Sequence, residues 1–353
     1  MEIASKGKPK KKATLKKAVF GYEATLVVAR DPRFDGAPLP DGTTNPDVLP
    51  ALILAMSIEK PGHRPGAVAV EALSHVDTRF PRHFLAADRA YNGQDKNVYQ
   101  LPIRAMGYLP VYDYRKDQLG EQAGTDGARL IEGSWYCPSM PVPLVNATID
   151  LLAKKIDKAT WINLIDARSH YLLRPKQNTD AEGHRRMMCP AEAGRVQCPL
   201  KPHTLARGIH LPLVDPAPSP TDPPKVCSKR SITIAPESGA AQWQALQYAS
   251  EAWQRVYFRL RNAVESINGY GKDPLKECFE QGGTRRIRGI AAQGILLAFQ
   301  LAHANVRKLA AWADSVVLAD EPAKRRPTRR RKTKPLGDWT PVGYRDEPEQ
   351  DAA

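Results

Sequence analysis

Between residues 253 and 272 the sequence WQRVYFRLRNAVESINGYGK places apolar side chains at steps of three and four: Trp253, Val256, Leu260, Ala263, Val264 and Ile267. On a helix of about 3.6 residues per turn they form one stripe, which must bury against a core. Phe258, Arg261, Glu265 and Lys272 fall on a neighbouring face, so a carboxylate is set between two cations beside the buried seam. An Arg261/Glu265 surface pair, with arginine on the N-terminal side, contributes only about a few tenths of a kcal/mol. The sharper reading of the same face is a phosphate-handling site.

Upstream, residues 20–30 alternate and are rich in β-branched and aromatic side chains, which predicts a strand. A turn region rich in proline and aspartate leads to a second strand at 52–59, and Pro61, Gly62 and Pro65 break the chain again. A helix over 67–76, a short buried strand over 82–87 ending at Asp88, a helix over 95–105 and a strand over 108–114 follow. This order is an α/β pattern with parallel central pairing. Asp88 then falls at a strand's carboxyl end, where ligands meet open α/β sheets; its plain reading is a cap for the next turn.

From residue 116 to 239 the pattern changes. Residues 128–136 and 164–174 read as β-rich, whereas 175–236 is crowded with proline, and the run DPAPSPTDPP at 215–224 predicts an extended connector. After the 253–272 helix, Gly282 and Gly283 predict a turn. Arg285, Arg286 and Arg288 open a further helical stretch whose apolar run, 290–301, packs back onto the sheet, with Arg307 and Lys308 near its end, where cations suit the helix dipole.

The chain has 353 residues, 42% of them hydrophobic, enough for one large domain or two smaller ones. A net charge of +14 points to a polyanionic partner. The longest apolar runs are too short to span a bilayer and no signal peptide is evident, so the expected setting is the cytoplasm. The lysine-rich residues 1–17 and the run KRRPTRRRKTK at 324–334 predict solvated basic tails suited to nonspecific phosphate contact. Cys137, Cys189, Cys198 and Cys227 lie in the 116–239 region with His184 and His203. Cys189-x8-Cys198 lacks the close spacing of CxxC-type pairs, so separate thiols are expected there in preference to structural Zn²⁺.

The spacing Phe258-x2-Arg261-x3-Glu265-x6-Lys272 resembles the Tyr-Arg-Glu-Lys signature around the third catalytic acid of bacterial insertion-sequence DDE transposases, with Phe258 in the Tyr position and Tyr257 beside it. DRAY at 88–91 resembles the family's second acid with its trailing Tyr. Residues 284–309 resemble the family's terminal helices, including an Asn-x-Arg near the end. Gly269 and Gly271 depart from the pattern by weakening the helix before Lys272. So does His63, which is followed by Arg64 where the family has Asp.

The resemblance implies an RNase H-like mixed sheet with flanking helices: a core over 18–115 and 240–318, interrupted by an insertion over 116–239 that helps hold the DNA end, with tails at 1–17 and 319–353. It implies Asp88 and Glu265 as catalytic acids and ligands of Mg²⁺ or Mn²⁺, and Arg261, Lys272 and Tyr91 against DNA phosphates. The partners implied are double-stranded DNA and transposon ends, in the nucleoid, with a homodimer on DNA allowed and no membrane. The activity implied is cutting and joining DNA ends by two-metal hydrolysis and transesterification.

The family's first acid has no counterpart, because FGYEATLVVAR resembles the strand that follows it; Asp31 is a weak substitute. In the family's sheet the first strand lies between the second and fourth. Its loss predicts unpaired backbone inside the sheet, poor metal affinity and an N-terminally truncated copy with weak or no activity. The rival readings are a non-catalytic, transposase-derived DNA-binding protein and an RNA-processing nuclease on the same scaffold.

Overall fold

A computed structural model describes residues 21–32, 45–206, 210–216, 221–279, 286–317 and 344. Both predicted basic tails, the Gly282-Gly283 turn, Arg285 and part of the proline run lie outside the described residues. The architecture is mixed α/β. Instead of one mixed sheet, the strands form two two-stranded and two three-stranded sheets among the described residues.

The alternating segment forms β1 (Glu23–Ala29), antiparallel to β2 (Leu52–Glu59). Then come α1 (Pro65–Ser74), the short strand β3 (Phe84–Ala86), the one-turn helix α2 (Arg89–Asn92), α3 (Gln100–Ala105) and β4 (Leu109–Val111). The expected parallel pairing is between β3 and β4. The helix predicted over 95–105 is confined to its second half, after hydrogen-bonded turns at 95–99.

The 116–239 region begins as a meander, β5 (Glu121–Thr125), β6 (Ala128–Ile131) and β7 (Ser134–Tyr136). Both its links are two-residue turns with positive φ throughout: Asp126 at 50° with Gly127 at 86°, and Glu132 at 44° with Gly133 at 83°. That conformation matches strand twist and favours a glycine at the second position.

Helix α4 (Val142–Leu152) and helix α5 (Lys158–Tyr171) follow. The latter corrects the β-rich reading of 164–174. Asp157 caps it by accepting the Thr160 N–H at 2.9 Å, and Trp161, Ile165, Arg168 and Tyr171 face inward at helical spacing. A buried arginine in that stripe disguised its period. Arg168 is fully buried, bonded to the Glu132 carboxylate and to the carbonyls of Leu144 and Val145.

The proline-rich part is also more ordered than expected: β8 (Arg174–Pro175), β9 (Arg185–Met188) and, after the short helix α6 (Lys225–Ser228), β10 (Ser231–Ile234) form an antiparallel sheet with β9 in the middle.

Helix α7 (Glu251–Gly271) is the stripe helix. Ser250 caps it, accepting the Trp253 N–H at 3.2 Å, and Trp253, Tyr257, Ala263 and Ile267 are buried. The Trp253 indole N–H donates to Tyr112 O and Gln244 Oε1, each at 3.0 Å, while the Tyr112 N–H donates to the same Gln244 oxygen. Trp253, Tyr112, Tyr248, Tyr257, Trp161 and Ile165 belong to the largest core cluster, which therefore joins α7 and β4 to α5 of the insertion.

Helix α8 (Ile290–Val317) begins after Arg286 and Arg288, not with them. It runs alongside β2. Gly294 sits against Ile58, and the Asn305 side chain bonds both backbone groups of Ile53, accepting from N–H at 3.0 Å and donating to O at 2.7 Å. Gly294 to Asn305 in the helix and Ile58 to Ile53 in the strand both cover about 17 Å, at about 1.5 and 3.3 Å per residue. Arg307 is not a dipole partner at the helix end. It pairs with the buried Glu277, as does His303 Nδ1 at 2.8 Å. Glu277 is held below the usual carboxylate range: burial opposes ionisation, but the bonds from Arg307 and His303 outweigh it.

Replacing one member of the buried Arg168–Glu132 pair leaves the other charge without its partner. Arg168→Met is expected to lower the unfolding free energy by about 3–5 kcal/mol, read from urea midpoints at constant m-value.

Candidate functional site

Strand β1 pairs with β2, β3 pairs with β4, and the two sheets are not joined to each other. Between β1 and β3 runs a groove of about 310 Å³. Five consecutive β1 residues, Ala24 to Val28, line it. Successive strand residues point to opposite faces, so a cavity that touches five in a row lies along the strand's edge. Leu85, Ala86 and Ala87 line the other side; Ala69 and Leu73 of α1 and Val264 of α7 also line it.

Asp88, Arg261 and Glu265 line the same groove. The Arg261 guanidinium reaches both acids: Nη2 is 3.1 Å from Glu265 Oε1, and Nη1 is 3.9 Å from Asp88 Oδ1. Nη1 also donates to the Tyr257 hydroxyl at 3.3 Å. Burial opposes the charge on Arg261, but the Tyr257 hydroxyl and the two carboxylates outweigh it and raise its pKa. The acids themselves are well exposed, their side chains 68% (Asp88) and 64% (Glu265) accessible.

Each element of the cluster has a local reason for its position. Asp88 caps α2, its Oδ1 accepting the Arg89 N–H at 2.6 Å, so the capping role and the place in the groove coexist. Arg89 is held in turn by Asp113, through Nε at 2.9 Å and Nη2 at 2.5 Å, and Asp113 accepts the Tyr248 hydroxyl at 2.9 Å. Asp113 is a buried carboxylate that sequence reasoning missed. The signal was its place at the end of the predicted 108–114 strand. On α7, Tyr257 stacks on Trp253 with ring centroids 4.7 Å apart and planes 11° apart, which aims its hydroxyl at Arg261.

Of the other expected site residues, Tyr91 lines the groove and Lys272 does not; Lys272 is the exposed C-terminal cap of α7. The resemblance put Phe258 in the tyrosine position, yet Tyr257 is the residue that lines the groove and meets Arg261, while Phe258 packs edge-on against Trp253 and Tyr344. Asp31 is not among the groove's residues, and its Oδ2 accepts the Leu49 N–H at 3.4 Å. His184 and His203 lie beside Asp180 and Glu192.

Asp88 and Glu265 fit hard divalent cations in donor type and exposure. Among the described residues, no group of three or more His, Cys, Asp or Glu side chains is gathered as a ligand set. No helix among them is long and apolar enough to cross a membrane. Comparison of the chain with protein-family models, curated proteins and solved structures finds no match.

Exposed ion pairs contribute little to stability. Asp88→Asn and Glu265→Gln are therefore expected to change the unfolding free energy by no more than about 0.5 kcal/mol in urea titrations, so that any effect on chemistry is separable from folding.

Proposed function

We propose that the chain is a DNA phosphodiester-processing protein of the insertion-sequence DDE transposase type, acting through Asp88, Glu265 and Arg261. The observation that carries this reading is the meeting of two acids, distant in sequence, on one guanidinium at the edge of a groove at a strand's carboxyl end. A net charge of +14 supplies the attraction to a nucleic-acid backbone.

Asp88 and Glu265 would hold Mg²⁺ or Mn²⁺, which when bound would supply activation of the attacking oxygen and stabilisation of the leaving one. Arg261 carries five donors in a planar fork and accompanies a phosphate that approaches the two acids, gripping two of its oxygens. Tyr257 limits the rotation of that guanidinium, so the donor plane is set before the phosphate arrives.

Two carboxylates make an incomplete clamp. The groove between β1 and β3 suits an extended strand laid parallel to β3, whose last residues would arrive beside Asp88; an acid there would be the third ligand. Without such a strand, metal binding is weak and DNA binding is the dominant activity. That limit favours one second reading, a non-catalytic DNA-binding protein of the same origin.

The test uses supercoiled plasmid and end-containing duplexes with Mn²⁺. Slow nicking by the wild-type chain, reduced at least tenfold in Glu265→Gln and Arg261→Ala with duplex affinity retained in Glu265→Gln, is the expected result. Wild-type protein that binds duplex DNA in a salt-dependent way and never nicks it, with affinity unchanged in Glu265→Gln, would leave the non-catalytic reading in its place. Preferential cleavage of RNA/DNA hybrids would instead indicate the RNA-processing chemistry.

A further inference from the structure

The 116–239 region contains a second group of reactive side chains that the groove does not use. Cys137, Cys189, Cys198 and Cys227 come from four different turns, are 5%, 5%, 6% and 7% exposed, and form no disulfides. The first three share one apolar cluster. Cys227 belongs to the adjoining one, and Leu200 packs against both.

Backbone pairing gathers these turns. The Cys137 N–H donates to Tyr171 O at 2.9 Å, and Met188, which precedes Cys189, is paired both with Arg174 and with Ser231, just beyond Cys227. Lys201 then ties three of the turns together. It lies in the turn after Cys198, is 5% exposed, and donates from Nζ to Glu192 Oε1 at 3.0 Å in the Cys189 turn and to Lys229 O at 2.9 Å in the Cys227 turn.

The local chemistry is that of thiolates. Cys137, Cys189 and Cys198 are each followed by proline, whose fixed φ starts a turn. Backbone N–H groups then point at sulfur, from Ser139 to Cys137 and from Ala191 and Glu192 to Cys189. Such donors favour the anionic form. Burial works against it, raising the Cys137 thiol to about 12 and the Cys227 thiol to about 11. All six sulfur pairs are within electrostatic reach of one another: Cys189, Cys227 and Cys198 add to the burial effect at Cys137, Cys189 and Cys198 add to it at Cys227, and Cys198 adds to it at Cys189. Anion-favouring donors around buried, mutually repelling sulfurs make sense once a cation replaces the protons.

We propose that Cys137, Cys189, Cys198 and Cys227 bind one zinc ion as a tetrathiolate centre that fastens the inserted region. Four thiolates around Zn²⁺ leave two net negative charges, and the Lys201 ammonium adjoins them. As the four sulfurs are not yet gathered at coordination spacing, they close on the ion as it binds, releasing up to four protons. The ligands meet through space from separate turns, and for that reason no CxxC pair marks the site in the sequence.

The experiment is metal analysis of the full chain purified from zinc-supplemented cells by mass spectrometry, with single Cys→Ser variants. One zinc per chain is expected, falling at least fivefold in Cys189→Ser and in Cys227→Ser, and unchanged in Cys278→Ser, whose thiol belongs to neither cluster. Should the variants fail to fold, cobalt replacement in the wild-type chain decides: intense visible bands of tetrahedral thiolate-bound Co²⁺, abolished by stoichiometric zinc, support the centre. Wild-type protein with less than about a tenth of a zinc per chain and no cobalt bands, or zinc content unaltered by both cluster variants, overturns it.

Discussion

The indole N–H of Trp253 is the contact on which the candidate site depends. It is fully buried and shared between the Tyr112 carbonyl and the Gln244 amide oxygen. The same amide oxygen takes the Tyr112 N–H, so one side chain from the segment before α7 satisfies a strand donor and an indole together. This fixes α7 against β4 in rotation as well as in distance, because a buried N–H left without acceptors would lose its whole hydration energy. Stacked on that indole, Tyr257 carries the orientation to Arg261. The exposed acids of the groove thus rest on a rigid aromatic base.

The groove expresses a different constraint. Backbone donors and acceptors are satisfied along the outer sides of the two small sheets, whereas the edges facing one another across 310 Å³ are not paired to each other. Apolar side chains line most of the space and charged ones gather at Asp88, Arg261 and Glu265. That polarity gradient is what an inserted strand with a charged end would match, and it sets the metal chemistry we propose apart from a simple surface ion pair.

Much of this was legible in the sequence, for identifiable reasons. The stripe on α7 is regular and capped by Ser250, and β1, β2 and α1 are each bounded by turn chemistry, so local preference and tertiary need agree. The approach of Asp88 to Glu265 followed from topology. Helix α5 was misread because Arg168 occupies an inward position that only its pairing with Glu132 makes tolerable, and pairing is invisible along the chain. Tyr257 and Phe258 are adjacent aromatics, and the choice between them depended on the rotation set by Trp253. The β8–β9–β10 sheet escaped notice because its strands are two to four residues long and separated by proline-rich turns.

The Asn305 amide has one more implication. By occupying both backbone groups of Ile53, it imitates a neighbouring strand for a single residue, while the rest of α8 lies along the same flank as far as Ile58. A covered flank cannot template the addition of foreign chains. The β1–β2 ribbon is therefore polar in its capacity to recruit: self-association by edge-to-edge growth is blocked at β2, and any recruited segment is directed to the β1 side, next to the acids.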